Sequence, residues 1–176
     1  MDILVSSNLE RLLYALCGSD TEVAGYMQQL RDQGSYTVSD ELKAKIQATF
    51  AGGFCNDIQT REKIGHAWRD HRYLIDTHTA VALDVAQQYK QANPEHNAVV
   101  VLSTASPYKF PAAVLEGIGE KAEGDEFDVM EQLHKVTGVP VPKNLADLRS
   151  RAVRHCDVID RGEMLDYVLG KAAAEK

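Results

Sequence analysis

The sequence predicts an α/β chain, mostly helical with a small parallel sheet, and three observations carry that expectation. Apolar residues recur at three- and four-residue spacing over most of the chain, as in helices with one buried face. One β-branched run, Ala98-Val99-Val100-Val101-Leu102, lacks polar alternation, the pattern of a parallel strand covered on both faces. Directly after it, Ser103-Thr104-Ala105-Ser106-Pro107 lead towards a helical stretch containing Val114, Leu115 and Ile118. Open α/β sheets bind ligands just beyond the carboxyl ends of their strands, so this junction is the first place to look for a site.

The elements follow in order. Ser7 or Asn8 caps a first helix through Leu9, Leu12, Leu13 and Leu16, which Cys17-Gly18 ends. Ser19 or Asp20 starts a second through Val23, Met27 and Leu30, with Gly34 as its stop, and Ser39 a third through Leu42, Ile46 and Thr49. Residues 1–50 thus read as a helical segment. In residues 50–55 the paired Gly52-Gly53 break the pattern and let the backbone approach a neighbour, so a short strand or bend is expected. Asn56-Asp57 then cap a helix to about His71 that buries Ile58, Ile64, Ala67 and Trp68. Another runs from about His78 to Tyr89 with Val81, Ala82, Val85 and Ala86, and Asn93-Pro94 stops it. Past the strand and its helix, Glu120, Glu123, Asp125 and Glu126 mark a solvated turn. Helices at 127–136 and 145–151, a short strand at 153–159 and a last helix from Glu163 finish residues 51–176, an α/β segment. No repeat or long linker divides the chain, which reads as a single region over 1–176.

Composition narrows the function. With 44% apolar and 26% charged residues among 176, the chain is of globular type. A net charge of −7 with scattered lysines and arginines argues against nucleic acid as a partner. The longest apolar stretch is far too short for a membrane span and no secretion signal opens the sequence, so a cytoplasmic location and no membrane partner are expected. Cys17, Cys55 and Cys156 form no C-x-x-C pair, which fits a reducing compartment. His66 and Asp70 share a helix face, but no third ligand joins them, so no metal is expected. Neither G-x-G-x-x-G nor G-x-x-x-x-G-K-[ST] occurs.

Three polar groups remain. Ser106-Pro107-Tyr108-Lys109 matches the S-x-x-K pair of penicillin-binding hydrolases, yet Ser106 reads better as a helix cap with Pro107 at the first helical position, which leaves Lys109 open. Asn8, Glu10 and Arg11 read as capping plus a surface ion pair. His78-Thr79 after Ile75-Asp76 is either a site or a cap with a packed imidazole.

Three stretches connect these pieces. Residues 1–13, M-D-I-L-V-S-S-N-L-E-R-L-L, resemble the M-D-I-L-V-S-S-N-x-E-R-L-L segment of the bacterial threonine synthases; residues 75–82, I-D-T-H-T-A-V-A, resemble their I-D-P-H-T-A-V-A; and residues 102–111, L-S-T-A-S-P-Y-K-F-P, resemble their L-S-T-A-S-P-x-K-F-P. The resemblance, in the family's order over nearly the whole chain, implies the C-terminal part of a fold-type II, tryptophan synthase β-like enzyme. Such an enzyme uses pyridoxal 5′-phosphate to convert O-phospho-L-homoserine and water into L-threonine and phosphate. It implies that Thr104 hydrogen-bonds the cofactor's pyridine nitrogen, and that Ser103, Lys109 and His78 lie near the site, Ser103 as a further cofactor contact. A neutral hydroxyl at that nitrogen, unlike an aspartate, moderates the electron sink. Thr77 stands where the family has proline, which relaxes the loop.

The family's Schiff-base lysine and S-G-N-F-G-type phosphate loop lie upstream of the M-D-I-L-V segment and have no match here. No catalytic residue is therefore expected in this chain, cofactor binding should be weak or absent, and the chain alone should be inactive. Two alternatives are a non-catalytic scaffold or partner subunit, and a hydrolase using Ser106 and Lys109. A fragment would also expose apolar surface, through which it would self-associate.

Overall fold

The computed structural model describes residues 5–95 and 98–174. Residues 1–4 of the first family-like segment lie outside that range. The described residues form nine α-helices: α1 (Ser7–Cys17), α2 (Asp20–Gln33), α3 (Asp40–Gln47), α4 (Asp57–His71), α5 (Thr77–Ala92), α6 (Pro111–Gly117), α7 (Glu126–Thr137), α8 (Lys143–Ala146) and α9 (Met164–Ala174). Single 3₁₀ turns occur at Pro107–Lys109, Leu148–Ser150 and Arg161–Glu163.

Local chemistry sets most of these boundaries. Ser6, Ser19, Ser39 and Asn56 each accept a hydrogen bond from a backbone N–H of the first turn they precede, which satisfies one of the orphan donors there. The first cap is thus Ser6 rather than Ser7 or Asn8; Asn8 instead accepts from the Arg11 guanidinium at 2.7 Å. Gly18 (φ 71°) and Gly34 (φ 75°) close α1 and α2 in the left-handed region that glycine enters without strain. Asp125, expected in a solvated turn, caps α7 reciprocally with Asp128. Arg149 then clamps both carboxylates, at 3.1 Å and 2.8 Å. That contact holds the Asp128 carboxyl below the usual carboxylate range, chiefly through its hydrogen bond from Arg149.

Two cores result. Leu13, Val23, Tyr26 and Leu42 gather α1, α2 and α3, with Leu16, Met27 and Ile46 against them. The larger core takes Ile64 and Ala67 from α4, Ala80 from α5, Val114 and Leu115 from α6, Val129, Met130 and Leu133 from α7, and Leu74, Ile75 and Tyr108 from the connections. Helices α4 and α6 approach through glycines: a Cβ on Gly65 would lie 2.5 Å from the Gly117 carbonyl oxygen, and one on Gly117 would lie 2.9 Å from Ile64. Between α4 and α5, Lys63 and Asp84 form a pair at 3.0 Å. The hydrogen bond from Lys63 is the main reason the Asp84 carboxyl is held below its ordinary value.

The expected parallel sheet is absent among the described residues. Residues 98–102 carry neither strand nor helix, with Val100 84% and Leu102 72% exposed. A β-branched run becomes a strand only when a neighbour takes its N–H and C=O groups into a ladder, and no described segment does so. The same reason removes the strand expected at 153–159, where Val153 and Val158 are exposed. The fold class is therefore all-helical over the described residues, not α/β, and the described part of segment 51–176 holds helices and loops only. Residues 50–55 form an irregular connection, in which Gly53 does make the expected close approach: a Cβ there would meet Val85 at 2.7 Å. Ile58, expected in the core, is 67% exposed, and the helix expected at 145–151 is split between α8 and the Leu148–Ser150 turn.

Candidate functional site

Asp76 organises the region where two of the family-like segments meet. It is fully buried and caps α5: Oδ1 accepts from the backbone N–H of His78 at 2.8 Å and of Thr79 at 3.3 Å, while Oδ2 accepts the Thr79 hydroxyl. A buried carboxylate is costly unless each oxygen is hydrogen-bonded, and α5's first amides together with one hydroxyl meet that demand. The Thr79 Oγ1 also lies 3.1 Å from Ser103 Oγ. A threonine hydroxyl has one proton; with that proton on Asp76, the Ser103 hydroxyl supplies the proton for the second contact. A chain of hydrogen bonds thus runs Ser103 to Thr79 to Asp76.

A second contact joins the same two segments. The His78 ring lies against Phe110, with centroids 5.1 Å apart and planes tilted by 49°. Its Nδ1 is 3.3 Å from Asp76 Oδ1 but off the hydrogen-bonding direction, and this buried nitrogen has no hydrogen-bond partner among the described residues. The carboxylate's lone pairs already serve the α5 amides and Thr79, so the imidazole is held by packing. Thr77 is the first residue of α5, the position where proline's missing N–H and fixed φ cost least. The family-like proline would fit there, and Thr77 keeps the turn without it.

Downstream, Ser106 is a cap: its Oγ accepts from the Tyr108 N–H at 3.3 Å, with Pro107 opening the 3₁₀ turn. No side-chain hydrogen bond joins Ser106 to Lys109 among the described residues, and an S-x-x-K nucleophile pair is not assembled. Tyr108 is buried and its hydroxyl donates to the Val139 carbonyl. Burial pushes its phenol above the ordinary tyrosine value, so it stays protonated as an anchor for the turn. Thr104 and Lys109 are exposed.

Beside this junction lies a cleft of about 510 Å³, bounded by Gly53, Thr60, Arg61, His78, Phe110 and others. Of the sequence-predicted site residues only His78 lines it; Ser103 is tied to α5 through Thr79, and Thr104 and Lys109 flank the tie and the turn. No group of three or more His, Cys, Asp or Glu able to hold a metal occurs among the described residues, and no described helix is long and apolar enough to cross a membrane. Sequence reasoning missed Asp76 and Thr79 as the residues linking the segments. Their signal was local: a cap-type aspartate three residues before a threonine marks a helix start with a hydroxyl on its third position.

Comparison with known proteins identifies the family. A family model described as "Threonine synthase, C-terminal" matches residues 79–166, half of the chain. The threonine synthase of Pseudomonas aeruginosa is 33% identical over 159 residues, which cover 88% of this chain and 33% of that protein. That of Corynebacterium glutamicum is 32% identical over 146 residues, 80% of this chain and 30% of that protein. The crystal structure of PLP-bound threonine synthase from Brucella melitensis aligns over 86% of this chain and 29% of that one, with a TM-score of 0.62 and 32% identity. The chain spans about a third of the length of the curated relatives named here. On the family match over residues 79–166, which contain both Thr79 and Ser103, the chain belongs to the threonine synthase family, in its C-terminal region.

Proposed function

We propose that residues 1–176 act as the single C-terminal region of a pyridoxal-phosphate-dependent threonine synthase that converts O-phospho-L-homoserine and water into L-threonine and phosphate. The observation that carries this reading is the 3.1 Å contact between Thr79 and Ser103, which brings the I-D-T-H-T-A-V-A and L-S-T-A-S-P-Y-K-F-P segments together beside Thr104. The residues present fit one end of the cofactor. Thr104 carries an exposed hydroxyl with no hydrogen-bond partner among the described residues, suited to a neutral pyridine nitrogen. Bound there, the cofactor supplies an electron sink for carbanions at the substrate's Cα and Cβ.

The chain's own part is positional. Thr104 would hold the ring nitrogen through a neutral hydroxyl, Ser103 ties the stretch just before it to α5, and the Tyr108 anchor fixes the turn that carries Lys109. His78 forms the wall shared by the cleft and Phe110. No lysine in either segment takes the place of the family's Schiff-base lysine, so the chain alone is inactive in this reading. Purified chain mixed with pyridoxal phosphate and O-phospho-L-homoserine should release no phosphate. A chimera in which it replaces the matching third of the Pseudomonas aeruginosa enzyme should release it. Phosphate release by the isolated chain, or a folded chimera that binds no cofactor, would contradict the proposal.

The exposed Val99, Val100 and Leu102 also support self-association of the isolated chain. Sedimentation over a rising concentration series should show a shift above monomer mass, and a constant monomer would sink that part of the reading.

A further inference from the structure

We propose that Thr79 is a positioning residue for the cofactor end of this site, and that Asp76 acts through it. The inference rests on the reading of Thr104 given above and deepens it: it names what holds Thr104 in place when the connection around it has no sheet. Residues 98–105 belong to no helix or strand, and Val100, Leu102, Ser103 and Thr104 are all exposed. Such a stretch has few apolar contacts to fix it, and local opening is cheapest in segments of that kind. Side-chain hydrogen bonds between Thr104 and the following helix are also absent among the described residues. The contact that ties the stretch to the core is Ser103 Oγ to Thr79 Oγ1 at 3.1 Å.

The tie is strong at its inner end. Thr79 is 5% and Asp76 0% exposed, so neither hydroxyl nor carboxylate has water as an alternative partner. Asp76 has both oxygens occupied, by two α5 amides and by the Thr79 proton. That commitment leaves the Thr79 oxygen a lone-pair acceptor facing Ser103, so the buried carboxylate sets the direction of the Ser103 donor. Thr104 follows across a trans peptide, about 3.8 Å from Ser103 between Cα atoms, and has little room to wander once Ser103 is held. The chemistry is selective for a hydroxyl at residue 79. Valine has the same shape but no acceptor, whereas serine keeps the acceptor and loses only a methyl.

Backbone amide NMR relaxation on the 176-residue chain tests this without cofactor. Thr79→Val and Ser103→Ala should each lower the order parameters across residues 101–105 into the flexible range, below about 0.6, and Thr79→Ser should keep them near the original values. Order parameters in α4 and α6 should stay unchanged. Ser103→Ala alters an exposed side chain and leaves the Asp76–Thr79 bond in place, so it reads the tie even if Thr79→Val loosens the start of α5. Unchanged order parameters at 101–105 in both variants, or no rescue by serine, would overturn the proposal, as would a fall spread evenly over α4, α5 and α6. Because no cofactor is present, these outcomes are independent of the phosphate-release test: a failed chimera with a positive relaxation result removes the cofactor reading and leaves only the tie.

Discussion

Gly65→Val is expected to lower the stability of the chain by about 3 kcal/mol, the upper part of the range for overpacking a core. The reason lies in the α4–α6 contact. Even a lone Cβ at residue 65 would sit 2.5 Å from the Gly117 carbonyl oxygen and 2.8 Å from the Arg69 guanidinium, and the carbonyl belongs to backbone that cannot swing aside. The helices must part, and Ile64, Val114 and Leu115, all fully buried, lose packing together. Gly25→Ala in α2 is the control, since nothing lies within 4 Å of its added Cβ. There the helix preference for alanine acts alone and should stabilise by about 0.5–1 kcal/mol. Chemical denaturation of both variants checks the pair of signs. A Gly65→Val chain as stable as the original would show that α4 and α6 do not cross as described.

Thr104→Ala in the chimera is the second large effect, with an expected loss of turnover of about a hundredfold, comparable to removing one preorganised hydrogen-bonding group from a charge-stabilising site. Nothing in the fold should change: Thr104 is exposed and makes no hydrogen bond among the described residues, so its removal leaves both cores untouched. Thr104→Ser keeps the hydroxyl and should retain most of the activity. Turnover, with denaturation as the check on folding, separates the two variants. Equal activity in alanine and serine variants would remove Thr104 from the site.

Helix starts and stops were legible in the sequence because their causes are local. Ser19, Ser39 and Asn56 each cap the helix that follows within three residues, and Gly34 ends α2 at the residue expected. Ser106 before Pro107 was likewise readable as a cap. The run Ala98–Leu102 was misread because its composition states only what the side chains would tolerate; whether it becomes a strand depends on a neighbouring ladder that no local pattern reports. Ile58 failed for a related reason: helical spacing placed it near the buried stripe, while the packing partners decided which part of that stripe was covered. At the candidate site, His78, Ser103, Thr104 and Lys109 stood out through the family-like segments. The Asp76–Thr79–Ser103 chain did not, because its two halves are 24 residues apart and only the fold brings them into contact.

The absorption spectrum of the chimera, taken with residue 104 as threonine, serine and alanine, is the most direct test of the claim that these segments build the cofactor's ring-nitrogen site. The account predicts a bound-cofactor band in all three folded proteins, at one position with either hydroxyl and displaced with alanine. A band that is indifferent to residue 104, or a folded chimera with no bound cofactor, would contradict it.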